Sequence, residues 1–134
     1  MKVAINAKYG PPEVIELKDL EKPVPKDNEM LVKVYASTVT SGDVTLRSGM
    51  KGKPLLLQFM GRIMLGFTKP KNTMLGSEFA GEIEAVGKDI KSFKKGDQVF
   101  GTTTGQDFGT NAEYICVRKN LYPRKKCLEI TWWQ

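Results

Sequence analysis

The sequence contains no histidine. That absence removes the commonest general base, the commonest zinc ligand and every Ser-His or Cys-His nucleophile pair. Cysteine is scarce: only Cys116 and Cys127 occur. They read as a strand cysteine and a tail cysteine in a reducing compartment, with a bridge between them as the minor alternative. The densest apolar run, Leu55 to Phe67, is too short to cross a bilayer and is interrupted by Gln58, Gly61, Arg62 and Gly66. Its polar face is thin, which argues against an interfacial helix, so no membrane partner is expected. Lys2, Asn6 and Lys8 deny the amino terminus the apolar core of a signal peptide, and the cytoplasm is the expected location. A dinucleotide-binding turn of the form G-x-G-x-x-G is missing as well. Gly101, Gly105 and Gly109 recur every four residues between strands and open no apolar helix.

What is present describes one domain. A chain of 134 residues with 27% charged and 40% hydrophobic residues can bury a single core. The net charge of +6 raises the question of nucleic acid. Arg118, Lys119, Arg124, Lys125 and Lys126 form a basic cluster with Tyr122 inside it and Trp132 and Trp133 beyond. Such mixtures can contact phosphates and stack on bases, but this one is confined to the last residues, and no specific nucleic acid is expected.

The most informative segment is LGSEFAGEIEAVGKDIKSFKKGDQVFG, Leu75 to Gly101. Glu82, Glu84 and Val86 alternate with Ile83 and Ala85, as in a strand of a sheet with one wet face. Gly87 ends that strand, and Phe93-Lys94-Lys95-Gly96-Asp97 turns the chain into a second one, Gln98 to Phe100. Helices are expected over Gly42 to Arg47, with Ser41 as N-cap, and over Leu55 to Leu65, with Pro54 at its first position. Several short strands separated by glycine and proline turns predict a mainly β barrel or sandwich rather than a parallel sheet.

The runs G-S-E-F-A-G-E-I-E-A-V-G and F-K-K-G-D-Q-V-F-G resemble the signature of the medium-chain dehydrogenase/reductase superfamily, in particular its zinc-independent quinone oxidoreductases and NAD(P)-dependent alcohol dehydrogenases. The resemblance extends to Lys2–Tyr9 with Gly10-Pro11-Pro12-Glu13-Val14, read as a first hairpin. It continues through Met30–Val39, Thr40-Ser41-Gly42-Asp43, Arg47-Ser48-Gly49 and Asn111-Ala112-Glu113-Tyr114. It implies a GroES-like, partly open β-barrel over residues 1–119 and an atypical basic, aromatic tail over 120–134. It also implies a Rossmann domain that these residues do not supply. The tail departs from the family near Asn120, which suggests a truncated or frame-shifted sequence, or else a natural tail on a shortened paralogue.

The resemblance further implies what the site does. Zinc-dependent members carry cysteine where Thr40 stands and histidine where Ser77 stands, so a metal-free site is expected. Thr40 and Ser41 would sit beside the nicotinamide of NADP or NAD, with Asp43 bracing their loop. Thr40 is thus also the nicotinamide-side cofactor contact. Related quinone oxidoreductases often have asparagine at the Thr40 position. Read from residues alone, Ser41 and Asp43 are a cap and a first-turn carboxylate. Glu78, if buried, needs a cation such as Arg47, or backbone donors. Three readings stand: a quinone or enone reductase domain inactive by itself, with no cofactor expected on this chain; a binding or regulatory module that pairs with a nucleotide-binding chain; and a remnant that only folds. A homodimer is expected through Leu55 to Phe67 and the Trp132-Trp133 pair.

Overall fold

A computed structural model describes residues 1–70, 73–103 and 109–118, together with the backbone of Arg124–Lys125. Two antiparallel sheets carry the fold. Strands β1 (Lys2–Asn6) and β2 (Ile15–Asp19) form a hairpin whose connection includes a 3-10 turn at Pro12–Val14. The larger sheet has the order β6-β3-β4-β5-β7, built from β3 (Glu29–Ser37), β4 (Glu78–Val86), β5 (Gln98–Thr102), β6 (Tyr114–Arg118) and β7 (Arg124–Lys125). Bridges Val3↔Ala112 and Ile5↔Met74 tie the hairpin to the segments that enter β6 and β4. Helices α1 (Ser41–Arg47) and α2 (Leu55–Leu65) both lie in the connection from β3 to β4. Every strand pairing among the described residues is antiparallel, so the mainly β expectation holds.

The core is one cluster: Met30, Val32, Phe79, Ile83, Ile90, Val99, Ile115 and Val117. Alternation along β4 supplies part of it, with Phe79, Gly81 and Ile83 buried and Glu78 and Ala80 exposed. The alternation then breaks. Leu31 pairs with Ala85 and Val32 with Ile83, leaving Glu84 as an extra residue on β4. Such a bulge reverses the faces beyond it. Val86, expected on the wet face, therefore packs against the core.

Two helix details also differ from expectation. The N-cap of α1 is Thr40, not Ser41. Thr40 and Asp43 stand three residues apart and form a reciprocal capping box, which leaves Ser41 as the first helical residue. Pro54 is the N-cap of α2 rather than its first helical residue, because its carbonyl already accepts the first helical bond, from Gln58 N at 2.9 Å. Among the described residues, no helix is long and apolar enough to cross a membrane.

Strand β6 carries Cys116, a free thiol. Burial, reinforced by the nearby Glu29 carboxylate, raises it from near 9 to about 11. The folded state thus holds this proton more tightly than the unfolded chain does. Its contribution to stability is complete below pH 9 and declines as pH rises toward 11. At pH 7 the thiolate population is on the order of 1 in 10,000. Peptide mass spectrometry should find Cys116 alkylated far more slowly by iodoacetamide in the native chain than in urea. Equal rates would contradict this. Cys127, the tail tryptophans and the basic residues from Lys119 onward lie outside the described side chains.

Candidate active-site loop

The segment 37–41 runs from the last residue of β3 to the first residue of α1. Its hydroxyl groups are almost all committed. Ser37 Oγ donates to Asn111 Oδ1 at 2.8 Å, and Thr38 Oγ1 donates to Glu78 Oε2 at 2.6 Å. Thr40 Oγ1 donates to Asp43 Oδ2 at 2.9 Å and accepts from Asp43 N at 3.3 Å. Ser41 is exposed, and its hydroxyl makes no hydrogen bond among the described residues. Among the four hydroxyls of this segment it is the one left available to a ligand.

Asp43 holds the loop in place. It is 4% exposed, and its carboxylate accepts from Thr40 N at 2.7 Å and Gly76 N at 3.1 Å, besides the Thr40 hydroxyl. One side chain thus joins the start of α1 to the segment entering β4. Gly76 has φ +99, and a side chain there would run into Thr110 and Asn111. The glycine therefore allows the 75–77 backbone to approach both Asp43 and the 110–111 strand entrance.

Beside the loop lies an open cavity of about 530 Å³, lined by Ala36, Ser37, Thr38, Glu78, Phe79, Ala80, Phe100, Gly101 and Thr102. Its walls are the neighbouring ends of β3, β4 and β5. The Thr38–Glu78 pair is its polar edge, and Phe100 supplies aromatic surface. Glu78 was expected to find Arg47 if buried. It is exposed and takes Thr38 instead, while Arg47 Nη1 donates to Gly10 O at 2.7 Å. Glu78 is the first residue of β4 and stays exposed at the end of that central strand, so no buried charge has to be matched.

Of the sequence-derived trio, Thr40 and Asp43 are in direct contact, Ser41 projects next to them, and none lines the cavity. Sequence reasoning missed Thr38, Ser37 and Asn111, whose contacts join residues 40 and 74 positions apart. The T-x-x-D spacing of Thr40 and Asp43 was a readable signal for the cap; nothing local announces the other pairs. Among the described residues, no three Cys, Asp or Glu side chains gather in a way that could hold a metal ion.

Comparison with known proteins then places this geometry. Residues 26–126 match the family described as alcohol dehydrogenase GroES-like domain. The quinone oxidoreductase of Sus scrofa is 40% identical over 108 residues, which cover 80% of this chain and 28% of the relative. The solved quinone oxidoreductase of Coxiella burnetii superposes with a TM-score of 0.74 at 29% identity, covering 96% of this chain and 37% of that one. The Escherichia coli quinone oxidoreductase complexed with NADPH has a TM-score of 0.71 at 24% identity, over 93% of this chain and 33% of that one, a likeness of fold. The chain thus spans between 28% and 37% of the length of these relatives.

Proposed function

The chain belongs to the alcohol dehydrogenase GroES-like domain family, and from that premise we propose that it is the substrate-side domain of a zinc-independent, NADPH-dependent reductase of quinones or enones. The observation that supports this most is the 40% identity to a quinone oxidoreductase across four-fifths of the chain. Zinc independence is supported by the donor set: no histidine occurs, and Thr40 and Ser77 are poor substitutes for thiolate and imidazole.

The described residues suit the nicotinamide end of the cofactor only. The remaining lone pair of Thr40 is available there, whereas nothing in the chain offers a glycine turn for pyrophosphate. NADPH, when bound, supplies a hydride to an activated double bond. The protein's task is to orient the acceptor and stabilise the oxyanion that develops on it. Ser41 is the residue able to donate that hydrogen bond. Thr40 has spent its proton on Asp43, so it positions Ser41 and receives. Asp43 fixes the loop by accepting from Thr40 N and Gly76 N. The cavity bordered by Phe100 and the Thr38–Glu78 pair takes the flat apolar body of the acceptor. We place the protein in the cytoplasm, where Cys116 stays reduced.

NADPH oxidation with benzoquinone or a simple enone tests the reading. The chain alone should show no turnover. Joined to the nucleotide-binding portion of the Sus scrofa relative, it should reduce quinone, and Ser41→Ala in that fusion should lower kcat about 10- to 100-fold with KM little changed. A folded fusion inert toward both acceptor classes would refute the assignment. A second reading, a non-catalytic module that pairs with a nucleotide-binding chain, is favoured by the open cavity on β3, β4 and β5. Co-purification of such a chain with the intact protein, without quinone turnover, would select it.

A further inference from the structure

Helix α2 is built inside out. Gln58, Gly61, Arg62 and Leu65 are its sheltered residues, whereas Leu55, Leu56, Leu57, Phe59, Met60, Ile63 and Met64 are exposed. Arg62 ties the helix to the protein. Arg62 lies 4.6 Å above the Tyr9 ring, its Nε donates to Gly49 O at 3.4 Å, and Nη1 donates to Phe67 O at 3.1 Å. Tyr9 in turn donates to Gly66 O at 2.9 Å, and burial pushes its phenol up, with Arg62 opposing. Gly61 packs directly on the Met50 side chain, whose sulfur would have to move aside for any side chain at 61. The thin polar face, which from sequence argued against an interfacial role, is thus consumed by packing. At 100° per residue, the seven exposed positions sweep an arc of about 200° without a single polar side chain.

The charge of the chain segment that carries this arc is one-sided. From Val44 to Ser77 the chain has six basic residues, Arg47, Lys51, Lys53, Arg62, Lys69 and Lys71, and no acidic one. With 21 basic and 15 acidic residues in all, the rest of the chain holds fifteen of each sign, so the entire net charge of +6 resides in this segment. Lys51 and Lys53 are exposed just before α2, and Lys69 is exposed just after it.

We propose that α2 and its flanking lysines form a docking surface for an anionic lipid bilayer. The helix would lie in the plane of the interface, its exposed arc among the acyl chains and the lysines reaching the headgroups. A second copy is a poor cover, because a two-fold contact sets this same cationic, acid-free segment against itself. A protein groove is a poor cover too, since such grooves grip a stripe of about 100° rather than twice that width. Fluid lipid imposes no shape on so broad an arc. The surface shares no lining residue with the cavity on β3, β4 and β5, so vesicle binding and acceptor turnover are read out separately.

Vesicle flotation with the full chain tests it. Phosphatidylcholine vesicles containing about 30% phosphatidylserine should carry most of the protein at low salt, and pure phosphatidylcholine should carry little. About 0.5 M salt should release it. Leu56→Ser with Met64→Ser, both solvent-facing at 73% and 76% exposure, should cut the bound fraction at least tenfold with the circular dichroism spectrum unchanged. Lys53→Gln should weaken binding about fivefold. Three results would overturn the proposal: protein left in solution with both vesicle types, binding unaffected by the double serine substitution (which would assign it to the basic tail), or a solution dimer that the same substitution converts to monomer.

Discussion

Replacing Gly81 with alanine should destabilise the protein by about 3 kcal/mol, among the largest effects of any single methyl group in this chain. Gly81 is buried in β4 opposite Val34, beside the bulge that leaves Tyr35 unpaired on β3. A Cβ there would overlap the carbonyl oxygen of Lys33, with the Lys33 carbonyl carbon and Val32 Cγ1 each at 3.0 Å. The obstacle is ladder backbone, which cannot rotate aside, so relief requires β3 and β4 to separate. Gly96 supplies the control. It has φ +88 and no atom within 4 Å of an added Cβ, so Gly96→Ala carries only the left-handed backbone penalty, about 1 kcal/mol. Urea denaturation of both variants distinguishes the effects. A Gly81→Ala loss no greater than that of Gly96→Ala would mean that the sheet absorbs the methyl group.

Asp43→Ala should cost a comparable amount, about 3 kcal/mol, for a different reason. The substitution strips acceptors from Thr40 N and from the buried Gly76 N in one step. It also removes half of the capping box of α1. Asn should recover roughly half of the loss, since its single oxygen can face either Thr40 or Gly76 but not both. Thr40→Ala alone should cost about 1 kcal/mol, and the double variant Thr40→Ala with Asp43→Ala should cost less than the sum, because the two share bonds. Strict additivity would show that Thr40 and Asp43 are not a unit. The same pair carries Ser41, so in an active fusion Asp43→Asn should lower kcat even under conditions where the domain remains folded.

Much of this was legible in order along the chain. The strand at 82–86, the turn at Lys94–Asp97 with Gly96 at positive φ, and the helix at Leu55–Leu65 follow from period, turn residues and a proline at the helix start. The family motif around G-S-E-F-A-G is likewise a local string. The capping pair was available in the T-x-x-D spacing, but Ser41 is an equally good cap by residue type, and the choice falls to whichever hydroxyl has a carboxylate three residues on. The Thr38–Glu78 and Ser37–Asn111 contacts had no such signal. They depend on β3, β4 and the entrance to β6 being neighbours.

By itself, the sequence determined the element types, the absence of imidazole chemistry and the family, because each depends on near neighbours or on composition. Tertiary structure decided which face those elements turn inward. The extra residue Glu84 in β4 reversed the alternation and sent Val86 to the core, a consequence of pairing with β3 that no window of β4 contains. Helix α2 shows the same division more sharply. Its periodicity specified a helix, but the contacts of half-buried Arg62 with Tyr9 and of Gly61 with Met50 fixed its rotation and left the apolar arc outside. Backbone hydrogen bonding in a helix is satisfied within a few residues, whereas orientation is set by whatever surface lies across from it.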